Sequence, residues 1–320
     1  MNIKKLILIL FLVLIIIVFG VVIFKRGNNI EKSDEKIQVV ASNFASYDFL
    51  RAIIGDNENV NLTFLLGAGK DTHSYDPTAH DLITIQNADL FVYVGGEMEK
   101  WVDKVLNTLE AENTKIICVA DDIETIEEQE IDGAEPEEEE EEEEGAFDEH
   151  IWTSPANAII MVNTLEKAME EIDSENSAMY KANAENYIAQ IEEVDSKIRE
   201  IVDNRVRDRL VFGDKMPIQY FINYYGLKVS AAFSGCSTET EPSAKTIAYL
   251  ENRVKEENIP VVLYIELNNG KVAKTIANET GSKAMQIQTL HNVSKDDFES
   301  GETYVSLMKR NLDVLKMALQ

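Results

Sequence analysis

Two similar α/β lobes joined by one long rigid helix are the fold this sequence predicts, and three observations carry the prediction. Short apolar runs rich in β-branched residues recur at 37–42, 60–66, 90–95, 115–120, 209–213, 227–233, 260–266 and 284–290. Stretches with helical spacing separate most of them, which is the alternation that builds parallel sheets. Four runs precede residue 150 and four follow residue 208, with one long helical stretch between the two groups. A chain of 320 residues holds two such lobes, because domains usually run to roughly 100–200 residues.

Composition narrows the class further. The chain is 45% hydrophobic and 8% aromatic with six prolines, which excludes wholesale disorder, a collagen-like chain and a polytopic membrane protein. A net charge of −28 repels phosphate backbones, so no nucleic-acid partner is expected. Residues 121–149 hold 18 acidic side chains and no Lys or Arg, leaving −10 for the rest of the chain. Cys118 and Cys236 form no CxxC pair and read as packed small residues.

From the N-terminus, Lys4 and Lys5 precede an unbroken apolar run from Leu6 to Phe24, closed by Lys25 and Arg26. Helical rise makes this run about 28 Å long, close to a hydrocarbon core and longer than a secretory leader requires. Residues 1–36 are therefore expected to be a membrane anchor followed by a polar tether. The first lobe is expected over 37–175, with the acidic loop 121–149 inserted in it. Eight consecutive glutamates, Glu137–Glu144, oppose any compact state there. A linker helix follows at 176–205, where Tyr187, Ile191, Val194, Ile198 and Ile201 step along one face and Asp173 and Ser174 stand as N-cap candidates. The second lobe takes 206–320. One rigid crossing implies limited hinge motion between the lobes.

Four histidines punctuate the chain: His73, His80, His150 and His291. In open α/β sheets ligands gather beyond the carboxyl ends of strands. His73 follows the run 60–66 and the Gly67/Gly69 loop, His150 precedes the Ser154-Pro155 helix start, and His291 directly follows the run 284–290. Imidazoles on separate loops can converge on one divalent ion, although each taken singly is equally a packed or surface residue. His80 reads as a surface or packing residue near the start of a helix at Pro77–Gln86, with Pro77 at its first turn. No HExxH motif supports local zinc-protease chemistry.

Taken in order, several segments resemble one family. They are Val39 to Ser42, Tyr47-Asp48-Phe49, His73-Ser74-Tyr75-Asp76-Pro77-Thr78, Ala88 to Tyr93 with Glu99 and Trp101, and Asp148 to Trp152. The second half adds Tyr220-Phe221 with Tyr225-Gly226-Leu227, Glu239 to Ser243, Ile259-Pro260-Val261 and Tyr304 to Leu319. Over residues 37–320 the chain is similar to the metal-binding receptors of bacterial ABC importers for zinc and manganese, a cluster that includes streptococcal surface antigens. The resemblance implies two α/β lobes on one long helix with a metal cleft between them. It also implies that His73 and His150 are the two ligands from the first lobe.

The second lobe departs from that pattern. Lys215 stands where zinc receptors carry a histidine and manganese receptors a glutamate, and a charged ammonium cannot bind metal. His291 falls where relatives place a carboxylate and is expected to supply the second-lobe ligand. Glu239, Asp214 or water is expected to complete the shell. Three imidazoles with one oxygen favour Zn2+ over Mn2+ as the carried ion. Ordinary imidazoles would lose it below about pH 6.5.

The resemblance implies a non-enzymatic receptor, a monomer tethered to the cell membrane on its extracytoplasmic side, serving an ABC transporter permease and its ATPase. The absence of a GxxxxGK[ST] loop agrees with ATP hydrolysis belonging to the partner. Two rival readings are a surface adhesin with a structural metal and a zinc hydrolase. The hydrolase needs a general base and a substrate pocket, and no residue pattern supplies either.

Overall fold

Each of the eight apolar runs forms one strand. The computed structural model describes residues 36–108, 114–127, 129, 131, 133–134, 147–233 and 241–320. The first sheet contains β1 (Ile37–Ala41), β2 (Val60–Phe64), β3 (Leu90–Tyr93) and β4 (Lys115–Cys118), in the order β2-β1-β3-β4. The second contains β5 (Arg209–Phe212), β6 (Lys228–Ala231), β7 (Val261–Ile265) and β8 (Lys283–Ile287), in the equivalent order β6-β5-β7-β8. The pairings β1–β3, β3–β4, β5–β6, β5–β7 and β7–β8 are parallel. Inner strands read as continuous apolar runs because helices cover both faces: Leu90, Phe91 and Val92 of β3 and Val261, Val262 and Leu263 of β7 are all buried. Both sheets lie within one compact unit, Gln38–Gln320.

The helices are α1 (Phe44–Ile54), α2 (Ala79–Gln86), α3 (Lys100–Leu106), α4 (Pro155–Ile172), α5 (Ser177–Asp203), α6 (Gln219–Tyr225), α7 (Ala244–Glu256), α8 (Lys271–Thr280), α9 (Lys295–Glu299) and α10 (Tyr304–Leu319). Thr78 caps α2 in a reciprocal capping box with Asp81, so Pro77 lies just outside the helix instead of in its first turn.

The connecting helix α5 has 27 residues, about 40 Å at 1.5 Å per residue. Its buried face is Tyr180, Ala184, Tyr187, Ile191, Val194, Ile198 and Val202. It packs on α1, α4 and α10, so the C-terminal helix braces the connector while also touching β5 and β8. Asp173 and Ser174 do not cap it. A 3-10 turn at Ser174–Asn176 intervenes, and Asp173 instead accepts from the Tyr180 hydroxyl at 2.6 Å and the Asn176 amide at 2.8 Å.

The lobes also meet at the neck of the acidic insert. Glu127 and Phe147 form an antiparallel bridge, and Asp148 N–H donates to Ile126 O at 2.9 Å. From α6, Gln219 accepts the Gln129 N–H at 3.3 Å and donates to Glu127 O at 3.1 Å, while the Tyr220 hydroxyl accepts the Ile126 N–H at 3.2 Å. The apolar run 6–24, the run Glu137–Glu144, Cys236 and Glu239 lie outside the described residues. No helix among the described residues is long and apolar enough to cross a membrane. Cys118 is half-buried, with its thiol donating to Val94 O at 3.1 Å.

Candidate metal centre

Three loops at the carboxyl ends of strands bring His73, His150 and His291 together. After β2 the chain turns through Gly67 and Gly69, both at φ +75°, a region that favours glycine. Gly69 also passes close to the second lobe: its N–H donates to Val293 O at 2.8 Å, and a Cβ there would sit 3.0 Å from Lys295 Cγ. Asp71 then accepts the His73 N–H at 3.0 Å.

His150 sits between the insert and a 3-10 turn, Ile151–Thr153, that leads into α4. One carboxylate oxygen of Asp148 fixes it twice, accepting its backbone N–H at 2.8 Å and its ring Nδ1–H at 3.0 Å. His291 follows Leu290, a buried leucine held at φ +61°. Such a conformation is costly for a branched side chain and persists only where surroundings impose it. Glu266, directly after β7, supplies that restraint: its carboxylate accepts the Thr289 N–H at 2.8 Å, the Thr289 hydroxyl at 2.7 Å and the Asn292 N–H at 3.4 Å.

The ligand-capable atoms of the three imidazoles all lie within 4.8 Å of one another. His150 Nε2 and His291 Nδ1 are 2.9 Å apart, and His291 Nε2 is 2.6 Å from the Thr72 hydroxyl. The His73 ring stacks on His291 with centroids 5.2 Å apart. When His150 Nδ1–H donates to Asp148, its Nε2 is left to accept from His291 Nδ1–H, and His291 Nε2 to accept from the Thr72 hydroxyl. The Trp152 ring lies edge-on to His150 at 5.4 Å between centroids, and its indole N–H donates to Thr289 O at 3.1 Å.

Burial, followed by the neighbouring His150 and Lys215 charges, lowers the His73 pKa to about 3. Burial, then His150, His73 and Lys215, puts His291 well below its ordinary range. Loss of their ligand form at pH 6.5, the expectation for ordinary imidazoles, is therefore displaced to lower pH for these two residues. In the unfolded chain both titrate near 6.5, so between about 3 and 6.5 that state binds more protons than the folded one. The stability of the metal-free protein should accordingly rise with pH across this window and fall as pH drops through it. Urea unfolding of wild type and His73→Gln checks this: the wild-type slope should be steeper, by up to about 1.4 kcal/mol per pH unit. Identical slopes would contradict it.

The remaining candidates are placed differently. Asp214 is buried with both oxygens engaged, accepting from Lys215 N–H at 2.9 Å, Asn268 Nδ2 at 2.9 Å and Ile265 N–H at 3.2 Å. It is not one of the three clustered side chains. Lys215 lines the cleft beside His291. His80 is exposed on α2, as its sequence context suggests. Sequence reasoning missed Thr72, Asp148 and Glu266 as the residues that orient the imidazoles. The available signals were an acid two residues before His150 and a lone acid immediately after an apolar strand.

Comparisons with known proteins bear on the family and the fold. The family model for the zinc-uptake complex component A, periplasmic (ZnuA), matches residues 39–318. The zinc-binding lipoprotein AdcA of Streptococcus pneumoniae (strain ATCC BAA-255 / R6) is 32% identical over 292 residues, covering 90% of this chain and 57% of that protein. The chain thus spans little more than half of that relative's length. The high-affinity zinc uptake system protein ZnuA of Bacillus subtilis (strain 168) is 32% identical over 294 residues, covering 92% of this chain and 91% of that one. Among solved structures, the metal-dependent lipoprotein YcdH from Bacillus subtilis superposes with a TM-score of 0.76 at 29% identity, over 89% of this chain and 100% of that chain. The Zn(II)-bound ZnuA-like domain of Streptococcus pneumoniae AdcA gives a TM-score of 0.74 at 30% identity, over 89% and 99%.

Proposed function

Since the chain belongs to the zinc-uptake complex component A family, we propose that it is an extracytoplasmic receptor that captures Zn2+ and delivers it to an ABC transporter permease driven by its ATPase. The observation that carries this reading is the convergence of His73, His150 and His291, two from the first lobe and one from the second. Manganese is the lesser cargo, since it prefers more oxygen than three imidazoles provide. A receptor binds and releases its ion without a catalytic step. The run Leu6–Phe24 tethers the body, residues 37–175 and 206–320 are the two lobes on the linker 176–205, and the receptor works as a monomer.

The proton arrangement suits this task. Asp148 holds the Nδ1 proton of His150 and so presents Nε2 as a ligand atom. His291 can ligate through Nδ1 by moving its proton to Nε2, where the Thr72 oxygen accepts it. Tetrahedral zinc with bonds of about 2.05 Å separates its nitrogens by about 3.3 Å, so the 2.9 Å His150–His291 contact opens only slightly on loading.

Calorimetric titration of the chelator-stripped full chain tests the proposal. One zinc per chain, bound more tightly than manganese, is expected, and failure to bind either ion tightly would sink it. Asp148→Asn should keep the fold and weaken zinc about 10–100-fold, the range for losing a partner that orients a ligand. An unchanged dissociation constant would remove Asp148 from the site.

A further inference from the structure

The two imidazoles in contact across the lobes, His150 and His291, are each carried on a braced loop. In the first lobe the His150 carbonyl accepts the Thr153 N–H at 3.1 Å and the Thr153 hydroxyl at 2.8 Å, and the Trp152 carbonyl accepts the Tyr304 hydroxyl from α10 at 2.8 Å. In the second lobe Glu266 clamps Thr289 and Asn292 on either side of His291, and the His291 N–H donates to the Thr289 hydroxyl at 3.4 Å. Loops braced in this way move as units, so the spacing of the two ligands depends on what joins one loop to the other.

The Trp152 side chain is such a joint. Its indole N–H crosses from the first lobe to donate to Thr289 O at 3.1 Å. The bond therefore leaves a residue two positions after one imidazole and reaches a residue two positions before the other. The indole ring stands edge-on to both, with its centroid 5.4 Å from His150 and 6.2 Å from His291. Trp152 and Thr289 are each 1% exposed, so water does not compete for the donor or the acceptor. A cavity with about 240 Å3 of empty space is lined by Thr153 and Thr289 together with Ile218, Phe221 and Met308. Close packing does not wedge the two loops together there, which leaves the indole bond to hold them.

An ion gripped from both lobes leaves when the second-lobe loop draws away from the first-lobe turn, and that separation breaks the indole bond. Building on the receptor reading, we infer that Trp152 is a latch between the lobes and that breaking its bond to Thr289 sets the rate at which zinc is released. Trp152 is a positioning residue: it acts through His150 and His291 and does not itself ligate the ion. Lid opening often limits the rate at which a bound molecule leaves.

The test is a stopped-flow measurement in which the zinc-loaded full chain is mixed with an excess of a fluorescent zinc chelator, and the rate that no longer depends on chelator concentration is taken as release. Trp152→Phe should release zinc about fivefold to tenfold faster than wild type, the scale of one buried hydrogen bond. A second variant carries benzothienylalanine at position 152, where sulfur replaces the indole N–H and the shape is kept. It should release zinc as fast as Trp152→Phe, whereas a packing role alone leaves it at the wild-type rate. The visible absorption of bound cobalt(II) should be the same in this isostere as in wild type, because the ligands of the closed site are unchanged. Wild-type release from the isostere overturns the latch and leaves the receptor reading intact. Faster release with an altered cobalt spectrum also overturns it, since the indole would then be shaping the ligand set. Failure of the wild-type chain to bind zinc overturns both readings.

Discussion

Replacing His291 with alanine should weaken zinc binding by more than about 100-fold, beyond the range for losing an orienting partner, because a direct ligand is removed. His291 is the second lobe's contribution to the clustered imidazoles. Among the described residues no neighbour replaces it. Lys215 is a cation, and the Asp214 oxygens are committed to Lys215 N–H, Ile265 N–H and Asn268. The zinc-induced rise in unfolding temperature should shrink markedly, because a 100-fold loss of affinity removes about 2.7 kcal/mol of ligand stabilisation at saturating zinc. Titration and thermal unfolding of the two proteins check both statements. Undiminished zinc binding in the variant would move the second-lobe ligand elsewhere.

What was legible in the sequence depended on whether a signal was local. Strands such as Leu90–Tyr93 and Val261–Ile265 declare themselves through apolar runs that burial on both faces requires. The linker helix did so through its stepping apolar face. The last fully buried position of that face is Val202 instead of Ile201, because four residues on from Ile198 the 3.6-residue turn returns Val202 to the core. Asp173 looked like a cap because sequence shows residue type and not the partner, and tertiary packing gave it Tyr180 instead. The histidines were legible as loop residues at strand ends, but their convergence was supplied by resemblance. The hydrogen bonds that aim them link His150 with its acceptor Asp148, His291 with Thr72, and Thr289 with its acceptor Glu266. The Thr72 partner is 219 positions away, a separation at which local pattern carries no information.

Asp48→Ala should destabilise the protein by about 3 kcal/mol, the lower end for breaking a buried ion pair, because the Arg51 partner is partly in water. Asp48 is 1% exposed, and burial raises its pKa despite the Arg51 charge. Its carboxylate gathers three helices: it pairs with Arg51 on α1, accepts the Tyr187 hydroxyl from α5, and accepts the Tyr304 N–H at the start of α10 at 2.7 Å. Arg51 extends the junction by donating to Glu302 O at 2.8 Å. Alanine strands the Tyr187 hydroxyl and the Tyr304 N–H in a dry interior, and each unpaired donor adds to the loss. Asp48→Asn keeps an acceptor for one of them and should lose less. Because the carboxylate ties first-lobe α1 to the connector and to the C-terminal helix, both lobes should lose stability together, as a shift of one urea transition. A shift confined to one of two resolved transitions would mean that α10 and α5 hold together without it. The zinc dissociation constant at low denaturant should stay near wild type, since none of the groups that Asp48 contacts belongs to the imidazole cluster.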